Sequence, residues 1–108
     1  MSFVKLFFHY SDAMRSDKLR EAVCSEVVRI LHDERKKKKL SMTRLAEQSG
    51  LSQAMISFVE RDLRNPTLDT LLRVADALEL ELSDVLVRAK RAASRQTVQR
   101  QTVANPSP

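Results

Sequence analysis

The chain has 108 residues, a formal charge of +5 and a pI near 9.8, a length that suits one domain and little more. One Gly and three Pro argue against a loop-rich or all-β chain, and the abundance of Ala, Leu, Arg, Lys, Glu and Gln favours helix. The single cysteine, Cys24, excludes an intrachain disulfide and any Cys-based zinc site, which fits a reducing, cytoplasmic setting.

Charge is unevenly placed. Residues 1–39 carry ten Lys/Arg against six Asp/Glu, residues 40–90 six against eight, and residues 91–108 three against none. A basic pI agrees with a nucleic-acid partner, but the centre is net acidic, so any such contact must come from a local basic face.

Residues 1–15 read as an N-terminal arm, short and strand-like. Its apolar run, Phe3 to Tyr10, is interrupted by Lys5 and His9. It is too short to span a bilayer and lacks the order of a signal peptide, so no membrane segment is expected. Met14 is an alternative start, which would leave the arm outside the native protein. The first helix is expected from Ser16 or Asp17, with Leu19, Val23, Val27, Ile30 and Leu31 on one face and Cys24 as a small apolar residue. Lys36 to Lys39 lie in its last turn, where cations suit the helix dipole. No Gly stops this helix, so Lys39 is expected in a left-handed conformation.

Ser41 caps a second helix with Leu45 and Ala46 facing inward. It ends at Ser49-Gly50, where Gly supplies positive φ, and Leu51 plugs the core. Ser52 caps a third helix over 53–61, with Ile56 and Val59 inward and Gln53, Ala54, Ser57, Phe58 and Arg61 outward. Asn65-Pro66 breaks the chain. Thr67 caps a fourth helix, whose Leu68, Leu71, Leu72, Ala75 and Leu78 form an apolar stripe. Ser83-Asp84 starts a fifth helix, with Val85, Leu86 and Ala89 apolar, which fades near Arg91. Residues 92–108 are expected to be a disordered basic tail. The domain proper is therefore placed at 16–91, with the candidate functional unit at 41–61.

Two short helices joined by a Gly turn, the second with a polar outer face, suit the DNA major groove. Residues 27–86 resemble the Cro/repressor-type helix-turn-helix family, also called the Xre family. The resemblance rests on Leu40, Ser41, Leu45-Ala46, Gly50, Ser52, Ile56-Ser57, Glu60-Arg61, Pro66 and the Leu-rich segment 68–78. It implies an all-α, five-helix lambda-repressor-like fold and places the third helix in the groove.

The resemblance also implies roles. Gln53 is the best base reader, since its amide can bond adenine N6 and N7 together; Ala54, Ser57 and Phe58 match other base-facing positions. Ala54 and Phe58, one turn apart, would form a pocket for a thymine methyl, or Phe58 covers a neighbouring side chain or a dimer contact. Ser41, Arg44, Ser52, Arg61, Arg64, Asn65 and Thr67 are phosphate-contact candidates, through side chains or helix N-terminal amides. For Lys36 to Lys39 a solvated face is the leading reading. Arg35 and Glu60 match a structural ion pair between the first and third helices, worth ~3 kcal/mol or more on removal of one partner if buried. Three positions depart from the family. Met42 stands where many relatives carry a phosphate-binding Gln, and Lys39 and Asp62 stand where relatives often have Gly.

No Ser/His/Asp, paired-carboxylate, P-loop or GxGxxG pattern appears, and His9 and His32 are far apart; no enzyme, metal or cofactor is implied. His32 reads as a surface residue. The expected function is sequence-specific binding of double-stranded DNA by a homodimer that regulates transcription, since one recognition helix reads too few bases. Leu82, Val85 and Leu86 are the candidate dimer surface, with the N-terminal arm as a second candidate. The rivals are an antitoxin-like module bound to a protein partner such as a toxin, and an adaptor that kept the fold and lost DNA recognition.

Overall fold

The computed structural model describes the backbone of residues 3–61 and 65–104, and the side chains of residues 17–61 and 65–96. Five helices follow one another: α1 (Phe3–Lys37), α2 (Met42–Ser49), α3 (Gln53–Glu60), α4 (Leu68–Ala77) and α5 (Leu82–Ala104). Among the described residues there is no strand. Asp62 and Arg64, two positions singled out in the sequence, lie outside the described residues.

The first and last helices are both longer than expected. Helical backbone begins at Phe3, not at Ser16 or Asp17. No Gly or Pro occurs before Gly50, and a residue can act as an N-cap only where its backbone is extended. Inside a continuous helix Ser16 and Asp17 cap nothing. At the other end α5 runs on past Arg91 to Ala104. Ala89 and Ala93 are fully buried, and Gln96 Nε2 donates to Glu26 Oε1 across 2.7 Å. Eight residues earlier on α5, Arg88 pairs with Glu34, eight residues later on α1, at 3.4 Å. These two contacts set α5 antiparallel along α1. Glu26 also accepts from Arg29 Nε at 2.8 Å, so its buried carboxylate is satisfied on both oxygens.

Three helices end in the same way, with a left-handed residue followed by a leucine. Lys39 has φ 58, Gly50 φ 73 and Glu79 φ 59. The next residues, Leu40, Leu51 and Leu80, return their N–H to Arg35, Ala46 and Ala75 carbonyls at 3.1, 3.1 and 2.8 Å, closing a Schellman turn each time. All three leucines pack against the core. Lys38 Nζ donates to the Leu78 carbonyl, so one lysine of the basic run satisfies the C-terminal end of α4.

The core joins Val27, Ile30 and Leu31 of α1, Leu45 and Ala46 of α2, Ile56 of α3, Val74 and Ala75 of α4, Leu78, and Leu82, Val85 and Ala89 of α5. Two expected faces are corrected. On α4 the buried positions are Thr70, Val74 and Ala75, while Leu68 is 64% exposed and Leu72 43%. Leu71, Ala75 and Leu78 of the expected stripe do meet the core, but the inward face also takes in Thr70 and Val74 in place of Leu68 and Leu72. On α5, Leu82 and Val85 belong to the core, with Val85 at 0% exposure. A residue already covered by its own chain offers no surface to a second subunit. Of that trio, only Leu86 is exposed, at 42%, beside Val87 at 50%.

Candidate nucleic-acid interface

The site is built from three helix N-termini and the outer face of α3. Ser41, Ser52 and Thr67 all hold extended backbone, with ψ of 161, 154 and 162°. Their hydroxyls accept from Arg44, Met55 and Thr70 N–H at 3.0, 3.0 and 3.1 Å. Each cap satisfies one amide of its first turn and leaves others free for an anion. Neither α2 nor α3 has an acidic residue in its first turn, so their positive ends are uncompensated. The first turn of α4 carries Asp69, held by Arg73 Nε at 2.8 Å, which makes it the least receptive of the three.

Between α2 and α3 the chain reverses at Gly50, whose N–H and that of Leu51 both reach the Ala46 carbonyl at 3.0 and 3.1 Å. A Cβ at Gly50 would lie 3.3 Å from Arg73 Nη1. With Leu45, Ile56 and Val59 buried, α3 turns Gln53, Ala54 and Met55 to solvent and leaves Ser57 and Phe58 half-buried.

The outward side chains are already organised. Gln53 Oε1 accepts from Thr43 Oγ1 at 3.2 Å. The Arg61 guanidinium sits 5.8 Å from the centre of the Phe58 ring, and its Nε reaches the Ser57 carbonyl at 3.4 Å. Cation–π contact of this kind steadies an arginine that would otherwise sweep through solvent. Phe58 therefore has a neighbour in its own chain, one of the alternatives left open by the sequence. Arg44 pairs at 3.4 Å with Glu47, both about six-tenths exposed; such a bond exchanges readily for a phosphate. Asn65 is exposed and Thr67 stands at the head of α4. Lys36, Lys37 and Lys39 are exposed at the end of α1.

The far end of α3 is fixed. Arg35 Nε and Nη2 donate to Glu60 Oε1 and Oε2 at 2.5 and 3.0 Å, and Arg35 Nη1 donates to the Leu40 carbonyl at 2.6 Å. The two side chains are only 8% and 9% exposed. His32 Nδ1 lies 3.1 Å from Glu60 Oε2 and is sealed from water without a hydrogen bond of its own. His32 is thus part of the α1–α3 joint rather than a plain surface residue. Its spacing, one turn before Arg35 on the same helix face, was the available signal. Thr43 carried no signal, since nothing in the sequence relates it to Gln53.

This arrangement is two short capped helices joined by a tight glycine turn, and the match to known proteins decides the family. A helix-turn-helix family model matches residues 31–85, just over half of the chain. The chain belongs to the Xre-type helix-turn-helix family of DNA-binding transcriptional regulators. It is 42% identical over 52 residues to the immunity repressor of Bacillus phage phi105, covering 48% of this chain and 36% of that one. It is 33% identical over 81 residues to an uncharacterised HTH-type transcriptional regulator of Haemophilus influenzae, covering 75% and 79%. The crystal structure of the clp gene regulator ClgR from Corynebacterium glutamicum superposes with a TM-score of 0.67 at 26% identity, covering 76% of this chain and 87% of that one. The chain spans well under half the length of the first curated relatives it matches. The family is one of DNA-binding regulators, not enzymes. The matched segment of this Xre-type regulator starts within α1 and ends within α5, so the outer parts of both long helices lie beyond it. No described helix is long and apolar enough to cross a membrane.

Proposed function

We propose that this regulator binds a specific double-stranded DNA operator as a homodimer in the cytoplasm, with α3 in the major groove. The observation that carries the reading is the contrast between the two ends of α3. Glu60 is clamped to α1 by two hydrogen bonds, whereas Gln53, Ala54, Ser57 and Phe58 lie on the side left uncovered or half-covered. A helix held at its C-terminal end can present its N-terminal residues to base edges in a fixed pose.

In this reading Gln53 bonds adenine, Ser57 accepts or donates at a neighbouring base, and Ala54 and Phe58 supply apolar contact. Ser41, Ser52 and Thr67 bring helix N-terminal amides to phosphates, and Arg44, Arg61 and Asn65 add side-chain contacts. Arg61, resting on Phe58, is the best preorganised of these. Leu86 and Val87 are the exposed apolar pair through which a second copy would pack. Half-sites would then lie about one helical turn, ~34–36 Å, apart.

The test is a gel-shift titration on the DNA upstream of the gene, at two salt concentrations, with sedimentation of the free protein. The reading expects that DNA to be preferred over random duplex by ~10³-fold or more. Equal binding to both, erased by salt, would reject specific recognition. A monomer at the concentration that saturates the operator would reject the dimer.

A further inference from the structure

We propose that the outer face of α5 holds a small, multiply charged phosphate ligand on Lys90, Arg91 and Arg95, and that this ligand favours the dimer. Val87, Lys90, Arg91, Ser94 and Arg95 line one concavity of about 510 Å³, and all five are exposed. Their three- and four-residue spacing puts them on one side of the helix. That side is turned away from Val85, Ala89 and Ala93, which are fully buried. The volume suits a small molecule rather than a folded partner.

The face is set apart by its lack of counter-charge. Arg20, Arg29, Arg44, Arg73 and Arg88 each pair with a carboxylate, Arg35 is clamped to Glu60, and Arg61 rests on Phe58. Among the described residues, Arg91 and Arg95 are the arginines with no such partner. No Asp or Glu follows Asp84 in the sequence, so this part of α5 supplies none. Arg91 and Arg95, one turn apart, repel each other, and Lys90 adds a third positive charge beside them. A bound anion relieves that repulsion. A phosphate oxygen pair matches the guanidinium fork, and a ligand with two phosphate groups can engage both arginines at once.

The DNA read by α3 is not placed to supply this charge. Glu26 and Glu34 share one face of α1 and bond Gln96 and Arg88 of α5. His32 and Arg35 share another face and meet Glu60 of α3. α1 thus stands between α3 and this stretch of α5, whose cationic side points away from both. Val87 also belongs to the apolar pair assigned above to the dimer, and the link to assembly rests on that reading. A second copy packed there brings its own three cations toward the first, so an anion held at the seam favours association.

The test titrates the full chain with inorganic pyrophosphate in a calorimeter, at an ionic strength held constant with sodium chloride. Arg91→Gln and Arg95→Gln are each expected to weaken binding about tenfold, the loss of a hydrogen bond between charged groups. Arg20→Gln removes the same charge elsewhere and is expected to stay within about twofold of the parent. Affinity for random duplex DNA is expected to be unchanged in Arg91→Gln and Arg95→Gln, and their melting temperatures without pyrophosphate to be equal to the parent's or higher. Absence of binding, or equal weakening by all three variants, overturns the site. So does a loss of duplex affinity in the α5 variants with pyrophosphate binding intact, which would give the face to DNA. In sedimentation, pyrophosphate is expected to tighten self-association of the parent about tenfold, within the range of coupled sites, and to leave Arg91→Gln unmoved. Unchanged association in a chain that binds pyrophosphate overturns the link to the dimer and leaves the site. A monomer throughout rejects the dimer reading itself.

Discussion

The α1–α5 pair and the α2–α3 unit solve different problems. The two long helices lie side by side, with Val27, Ile30 and Leu31 on one and Leu82, Val85 and Ala89 on the other joined in one core, and the Arg88–Glu34 and Gln96–Glu26 bonds along their seam. The two short helices have eight residues each, a length that is marginal in isolation. They stand because Leu45, Ile56 and Val59 are buried, because serines cap them, and because Glu60 is held by Arg35. In the proposed reading, recognition falls to residues that contribute little to stability, on a unit whose stability comes from elsewhere.

That division can be broken or sharpened by substitution, taken here from the largest effect to the smallest. Glu60→Ala leaves the Arg35 guanidinium buried and uncompensated. The expected loss is ~3–5 kcal/mol, read by urea denaturation, and a loss below ~1 kcal/mol would show that α3 is not held at this joint. Leu45→Ala removes a side chain that is 1% exposed and is expected to lose ~2–5 kcal/mol in the same measurement. Gly50→Ala places a Cβ on a left-handed backbone, for ~1–2 kcal/mol. The converse change, Lys39→Gly or Glu79→Gly, relieves that strain and is expected to gain ~0.5–1 kcal/mol, seen as a higher melting temperature. Gln53→Ala and Leu86→Gln sit at the bottom of the scale, within ~0.5 kcal/mol of the parent in thermal unfolding. A destabilisation of ~2 kcal/mol by either would erase the division between scaffold and reading face.

The sequence was most legible where local chemistry alone decides the structure. Ser41, Ser52 and Thr67 cap helices because a short hydroxyl side chain can reach its own first turn. Gly50 takes positive φ, and Leu45, Ala46, Ile56 and Val59 face inward on helices too short for the pattern to drift. It was least legible where a partner helix decides. Nothing local says that Ala93 and Gln96 belong to a helix, because their reason for order is α1. On α4 the expected stripe was right at Leu71, Ala75 and Leu78 and wrong at Leu68 and Leu72, whose place in the buried face is taken by Thr70 and Val74. Leu82 and Val85 read as a surface pair because the sequence does not show that α5 packs against α1. At the site, the Thr43–Gln53 contact joins residues whose separation carries no pattern, whereas His32 was traceable only through its helical spacing to Arg35.

The antiparallel seam also dictates an order of events. Glu26 and Gln96 meet across 70 residues of chain, so α1 leaves the ribosome long before its partner exists. Until α5 emerges, part of the apolar face of α1 has only transient cover, and the segment between them can form caps and turns but not a finished core. Distant pairings of this kind slow folding, because the loop must close before the contact rewards it. Newly made protein therefore becomes competent to hold α3 rigidly only after α5 has emerged, and ribosome-bound chains halted before Leu82 would remain open to proteolysis.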